Sequence, residues 1–124
     1  MRGLIWHCKS VKWTSKDRED QVNNCLVAFC CFEKKDGINE VSEAARRIKQ
    51  LNKKRFHEAT VVIFPFAHLS SSIMPADEAE RLHIQLAQKL KPDFETVEVM
   101  PFNKDKDVAI HLLEKNEDVS YFEY

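Results

Sequence analysis

Residues 59–71 read ATVVIFPFAHLSS. Residues 59–64 are almost wholly apolar, β-branched or aromatic, as expected of a strand covered on both faces. Pro65 cannot donate to a ladder, so it ends the strand and frees the adjacent backbone for a ligand. Phe66, Ala67 and His68 follow, then hydroxyls at Ser70, Ser71 and Ser72. In open α/β sheets, ligands bind beyond the carboxyl ends of the strands. This stretch therefore predicts a central strand and places a pocket at its end.

The neighbouring segments build an α/β domain around that strand. Residues 24–33 (NCLVAFCCFE) form a second continuous apolar run and a second buried strand. Between the two lies a helix over 40–55, with Val41, Ala44, Ala45, Ile48 and Leu51 on one stripe. Asn39 is its expected N-cap, and Asp36-Gly37 the turn before it. A second helix over 76–91 carries Ala79, Leu82, Leu86 and Leu90 on one face, with Pro75 at its start. Residues 94–100 alternate as a strand, 107–113 form another, and 119–124 an edge strand. At the other end, residues 2–8 and 10–15 read as two paired strands, and the polar run 16–23 as a loop. The sum is one α/β domain with a mixed sheet of five or six strands and two helices. Each helix lies between strands, which implies crossover connections.

Bulk composition narrows the function classes. The 124 residues suit one domain, and 44% are hydrophobic, enough for a core. Charged residues make up 31% with a net charge of −1, unlike a general nucleic-acid coat, but compatible with a site for one RNA end. Two glycines, Gly3 and Gly37, are too few for a phosphate-cradling loop or a dinucleotide fingerprint. Cys8, Cys25, Cys30 and Cys31 show no C-x-x-C or zinc spacing and read as buried reduced thiols, so no metal or cofactor is expected. Neither a signal peptide nor a membrane-length apolar run is visible, and a soluble, cytoplasmic protein is expected. Arg46, Arg47, Lys49, Lys53, Lys54 and Arg55 give the first helix a basic outer face, solvated or set against RNA phosphate. Trp6 and Trp13 read as packing residues, and His83 as a core or surface residue of the second helix. His57 and His111 receive no role.

The run Pro65-Phe66-Ala67-His68-Leu69-Ser70-Ser71 resembles the signature segment of the archaeal threonyl-tRNA synthetase editing domain. Met1-Arg2 with the strand to His7, Leu26-Val27-Ala28-Phe29, Glu33-Lys34, Val41-Ser42 and Pro101-Phe102 resemble further family segments in the same order. The resemblance implies a D-aminoacyl-tRNA deacylase-like fold and a homodimer. It implies hydrolysis of serine wrongly esterified to threonine tRNA, using the terminal adenosine's 2′-hydroxyl and an activated water. It implies a pocket made by Pro65, Phe66, Ala67 and His68 with Phe32 and Glu33. The family's lysine after its second Pro-Phe corresponds to Lys106, and Lys104 competes for that role. Lys106 and His68 are thus the expected catalytic residues; Phe32, Glu33, Pro65, Phe66, Ala67 and Lys104 are the expected substrate-binding ones. The chain departs from the family at 103–106, where Asn-Lys-Asp-Lys replaces Gly-Tyr-Tyr-Lys. The family's later Gly-His-Pro and Glu have no match either, Glu114 and Glu117 being the nearest carboxylates. Partners implied are an aminoacylated tRNA 3′ end and a threonyl-tRNA synthetase catalytic subunit. The alternative reading is a non-catalytic module that binds the tRNA 3′ end and acts with a synthetase in trans.

Overall fold

Arg2–Ser15 form a single 14-residue strand, β1, where two were expected. A computed structural model describes residues 1–16, 18–113 and 119–124. The polar run 16–23 is not a loop: most of it is the first half of β2, Arg18–Cys31. The two strands pair antiparallel from Arg2↔Cys31 to Ser15↔Arg18. Glu19, Gln21 and Asn23 are exposed on the outer side of this hairpin arm. Their composition suggested a loop, but the backbone partners offered by Val11 and Trp13 override it, since strand preference depends on context.

The hairpin is kinked at Lys9 and Asn24. Cys8 pairs with Cys25 and Ser10 with Asn23, and Asn24 is left-handed at φ 53°. The β1–β2 register is unbroken there, but the pairing of β1 with the strand on its other side shifts register between Cys8 and Ser10. An extra residue of this kind moves the following side chains to the opposite face. Leu4, Trp6 and Cys8 consequently share one apolar cluster with Val11 and Trp13, despite the change of parity.

From β2 the chain makes two crossovers. Helix α1 (Ile38–Leu51) leads to β3 (Thr60–Pro65), and helix α2 (Ala76–Leu90) leads to β4 (Thr96–Val99). β2–β3 and β3–β4 are parallel, as the alternation of helices and strands predicted. Gly37, not Asn39, is the N-cap of α1, and its N–H donates to the Glu40 carboxylate at 2.8 Å. The helix's last turn widens into a π turn, Asn52–Phe56, closed by a left-handed His57. There the Asn52 amide clamps the backbone of Glu58 through two 2.9 Å hydrogen bonds.

The last two strands complete the sheet in the order β4-β3-β2-β1-β5. β5 (Asp107–Leu112) pairs with the far half of β1, and β6 (Val119–Glu123) pairs with Arg2–Trp6. One face of the sheet, with Ile5, Leu26, Ala28, Val61 and Ile63, packs on both helices. The other face, with Val27, Phe29 and Val62, packs on the kinked arm and on Val108, Ile110 and Leu112. On that second face Leu4 and Trp6 stand opposite Tyr121 and Val119, which are 49% and 43% exposed. Among the described residues no helix is long and apolar enough to cross a membrane.

Candidate functional site

The pocket forms where β3 stops. Cys30 of β2 lies opposite Pro65, and the Phe66 N–H makes one more bond to the Cys30 carbonyl at 3.0 Å. The chain then turns through a short 3₁₀ segment, Ala67–Leu69. It returns beside the extension of β2, with Lys34 N–H donating to Ser72 O and Met74 N–H to Phe32 O, both at 3.1 Å. α2 rises from this return. Beyond β4, whose register is held by Met100 N–H to Ile63 O at 3.0 Å, the loop 101–106 forms the opposite wall.

These walls enclose about 490 Å³. The volume falls within the roughly 300–1,000 Å³ common for small-ligand sites. Phe32, Phe64, Phe66 and Phe102 supply aromatic surface; Met74, Ala76 and Ala79 supply aliphatic surface. His68, His83 and residues 103–106 supply the polar groups. The mixture suits a small ligand with an apolar part and a polar part.

Seven of the eight expected site residues line this pocket: Phe32, Pro65, Phe66, Ala67, His68, Lys104 and Lys106. His68 is exposed at the rim, its ring edge-on to Phe66 at 5.0 Å. The two lysines are distinct. Lys104 is exposed, and its carbonyl accepts from Lys106 at 3.3 Å. The Lys106 ammonium also donates to the Pro101 carbonyl at 3.0 Å and lies 5.5 Å over the Phe64 ring. Burial lowers the Lys106 pKa, against the opposing influence of the Asp105 carboxylate. The sequence left the choice between the lysines open; the geometry turns Lys106 inward.

Glu33 stands behind the pocket, not on its wall. Its carboxylate accepts from the Ser70 hydroxyl at 2.7 Å and from the Met1 ammonium at 3.0 Å, with the Arg2 guanidinium at 3.6 Å. The Ser70 hydrogen bond, followed by the ammonium, lowers its pKa. It ties the end of segment 65–70 to the start of the chain. Glu114 and Glu117 lie outside the described residues.

His83 is the site residue that sequence reasoning passed over. It is 3% exposed and lines the pocket from α2. Its signal was present: it occupies the buried stripe of Ala79, Leu86, Ala87 and Leu90, a polar residue on an apolar face. Cys30 and Cys31 also reach the pocket, but both are buried, and burial pushes the Cys30 thiol up to about 12.

A parallel β2–β3–β4 unit, capped by two helices and extended by a long antiparallel hairpin, defines the class. The whole chain superimposes on the c-Myc DNA unwinding element binding protein with a TM-score of 0.82 at 12% identity, covering 100% of this chain and 99% of that one. A probable eukaryotic D-amino acid tRNA deacylase superimposes with a TM-score of 0.69 at 7% identity, covering 98% and 97%. The fold is thus the D-aminoacyl-tRNA deacylase-like fold.

Sequence similarity narrows the class to one family. The profile of the archaea-specific editing domain of threonyl-tRNA synthetase matches residues 1–114, and the chain belongs to that family. Threonine–tRNA ligase from Thermofilum pendens is 29% identical over 82% of this chain, and that from Methanosphaera stadtmanae 33% identical over 82%. The chain spans about a fifth of the length of these curated relatives, 19% in each.

Proposed function

We propose that this protein hydrolyses the ester of a wrongly charged transfer RNA, removing serine from threonine tRNA. One observation carries the reading. Phe32, segment 65–68 and the loop 103–106, far apart in sequence, converge on one pocket at the strand ends. Under this reading the terminal adenosine packs among the phenylalanine rings, and its ribose meets the backbone of Pro65, Phe66 and Ala67. An ester needs only a placed water, a proton acceptor and stabilisation of the oxyanion. The adenosine's own 2′-hydroxyl assists the water, His68 at the rim orients the ribose or carries a proton, and Lys106 offsets the developing negative charge. Lys104, exposed on the same loop, contacts the tRNA end from outside. No cofactor enters the scheme.

A second reading follows from a specific contact. The Lys106 ammonium already donates to two backbone carbonyls, leaving it one further proton to offer. If those bonds persist with substrate bound, the protein holds the tRNA 3′ end without turnover and acts with a synthetase catalytic subunit in trans. Incubation with seryl-tRNA for threonine separates the readings. Serine release, with threonyl-tRNA spared, supports hydrolysis. Binding of a non-hydrolysable seryl-adenosine analogue without release supports the module, and absence of both refutes the two together.

We also propose a homodimer in the cytoplasm. The surface assigned to the second copy is the apolar patch of Leu4, Trp6, Val119 and Tyr121 on the face away from the helices. Light scattering on the purified protein should give twice the 14.5 kDa chain mass, and Tyr121→Glu should shift it toward monomer.

A further inference from the structure

His83 joins three walls of the pocket. Its Nε2 faces the Cys30 carbonyl at 3.2 Å, and its Nδ1 faces the Ala79 carbonyl, one turn back in α2, at 2.7 Å. Its ring meets Phe32 edge-on at 4.8 Å and Phe102 at 5.3 Å. The Cys30 carbonyl is the same oxygen that receives the Phe66 N–H at 3.0 Å. A carbonyl has two lone pairs, and here the bond that starts segment 65–68 and the imidazole both address it. Phe102, in turn, begins the stretch that carries Lys104 and Lys106.

We propose that His83 is a positioning residue of this pocket. It fixes the Cys30 carbonyl, and with it the Phe66 end of segment 65–68, against the Phe102 side of the lysine loop. The inference deepens the proposed function, on which its effect on substrate rests. Its structural half, control of the Phe66 hydrogen bond, stands independently of any substrate. Both ring nitrogens face carbonyl oxygens, and a neutral imidazole has a proton for one of them only. The imidazolium satisfies both. Glu80 on α2 is the charged group that acts on it, and Cys30, Cys31, His68, Lys104, Asp105 and Lys106 are the titratable groups that line the same pocket. Burial opposes the imidazolium and prevails over the Ala79 and Cys30 carbonyls and Glu80, which favour it.

The test compares His83→Leu, His83→Gln and His83→Asn. Leucine keeps bulk and loses both ring nitrogens. Glutamine keeps a donor with the reach for the Cys30 carbonyl; asparagine is polar but too short. In the free protein, amide hydrogen exchange at Phe66 should accelerate about tenfold in the leucine and asparagine variants and stay near wild type in the glutamine variant. Affinity for a non-hydrolysable seryl-adenosine analogue should fall about tenfold in the same two variants and recover with glutamine. The melting temperature controls for folding, and the asparagine variant carries the test if the leucine variant fails to fold. Equal Phe66 exchange in a folded leucine or asparagine variant and in wild type overturns the proposal. If wild-type protein itself neither binds the analogue nor releases serine, the proposed function fails, and the exchange measurement still decides the role of His83.

Discussion

Lys106→Ala is the most direct perturbation of the proposed chemistry. The ammonium sits half-buried over the Phe64 ring at 5.5 Å and donates to Pro101 O and Lys104 O. Two of its three protons are thereby spent on the loop that holds it, and the third is free to meet an oxyanion. Losing the ring contact, partly solvated, destabilises the fold by about 0.5–1 kcal/mol. Two loop carbonyls also lose a donor, but the loop is open enough for water to replace it, which adds ~0.5 kcal/mol. The expected loss of stability is about 1–1.5 kcal/mol, read from urea unfolding as a shift of midpoint at constant slope. The loss of transition-state stabilisation is larger. Removing one preorganised oxyanion donor lowers kcat by about 10²–10³, or roughly 2.7–4 kcal/mol. Single-turnover release of serine from seryl-tRNA measures this step without product release. Lys104→Ala, which removes an exposed charge, should change the rate less than about threefold and raise KM, since its effect is uniform binding. Lys106→Ala protein that is folded and within threefold of wild type would refute the assignment. So would a Lys104→Ala enzyme that loses the larger share.

Other outcomes follow from the packing and the buried charges. The Glu33 carboxylate has a lowered pKa, so its stabilising contribution is present above the ordinary carboxylate range and is lost as pH falls through the folded value; Glu33→Gln should be about 1 kcal/mol less stable at pH 7 and show a flatter acid-unfolding profile, measured by circular dichroism, whereas an unchanged profile would remove Glu33 from the latch on Ser70. A methyl group on Gly3 would lie 2.3 Å from the Phe122 ring; Gly3→Ala should cost about 1–3 kcal/mol by overpacking, and a cost below ~0.5 kcal/mol in urea would mean β6 does not seat against β1 as described. The thiols of Cys8, Cys25 and Cys30 are raised to about 12, 11 and 12 by burial; at pH 8 the native protein should react with a chromogenic disulfide reagent far more slowly than the urea-unfolded chain, which should titrate four thiols.

The parts of the fold legible in the sequence are those in which burial alone decides the structure. The runs 25–32 and 61–64 are apolar throughout because both faces of β2 and β3 are covered. The stripe of α1 read correctly for the same reason, and that of α2 at Ala79, Leu86 and Leu90, with Leu82 only partly buried. The hairpin arm was illegible because its outer half is polar on the exposed side, and its order comes from ladder partners across the turn rather than from its own residues. The bulge at Lys9 hid the continuity of β1, since the change of parity mimics a strand boundary. In the site, Pro65, Phe66, Ala67 and His68 were legible as a motif, and their position at a strand end follows from the strand itself. Glu33 matched as a residue but not as a place: its contacts to Ser70 and Met1 depend on packing that no local pattern encodes. His83 was visible only as a polar break in an apolar stripe, and that break acquires a meaning once the Cys30 carbonyl is known to lie 3.2 Å away.

The outer edge of β1 is shared by β5 and β6. Pairing Arg2 with Glu123 closes a long loop, whose entropic cost rises with the length between the two residues. Contacts of such long range form late in folding, whereas the pocket draws only on residues 30–108. During synthesis on the ribosome the recognition half therefore acquires its partners first. Meanwhile Leu4 and Trp6 wait on an open strand edge until residues 119–123 arrive. That interval, more than the finished fold, is when a nascent chain of this topology is most exposed to edge-to-edge aggregation.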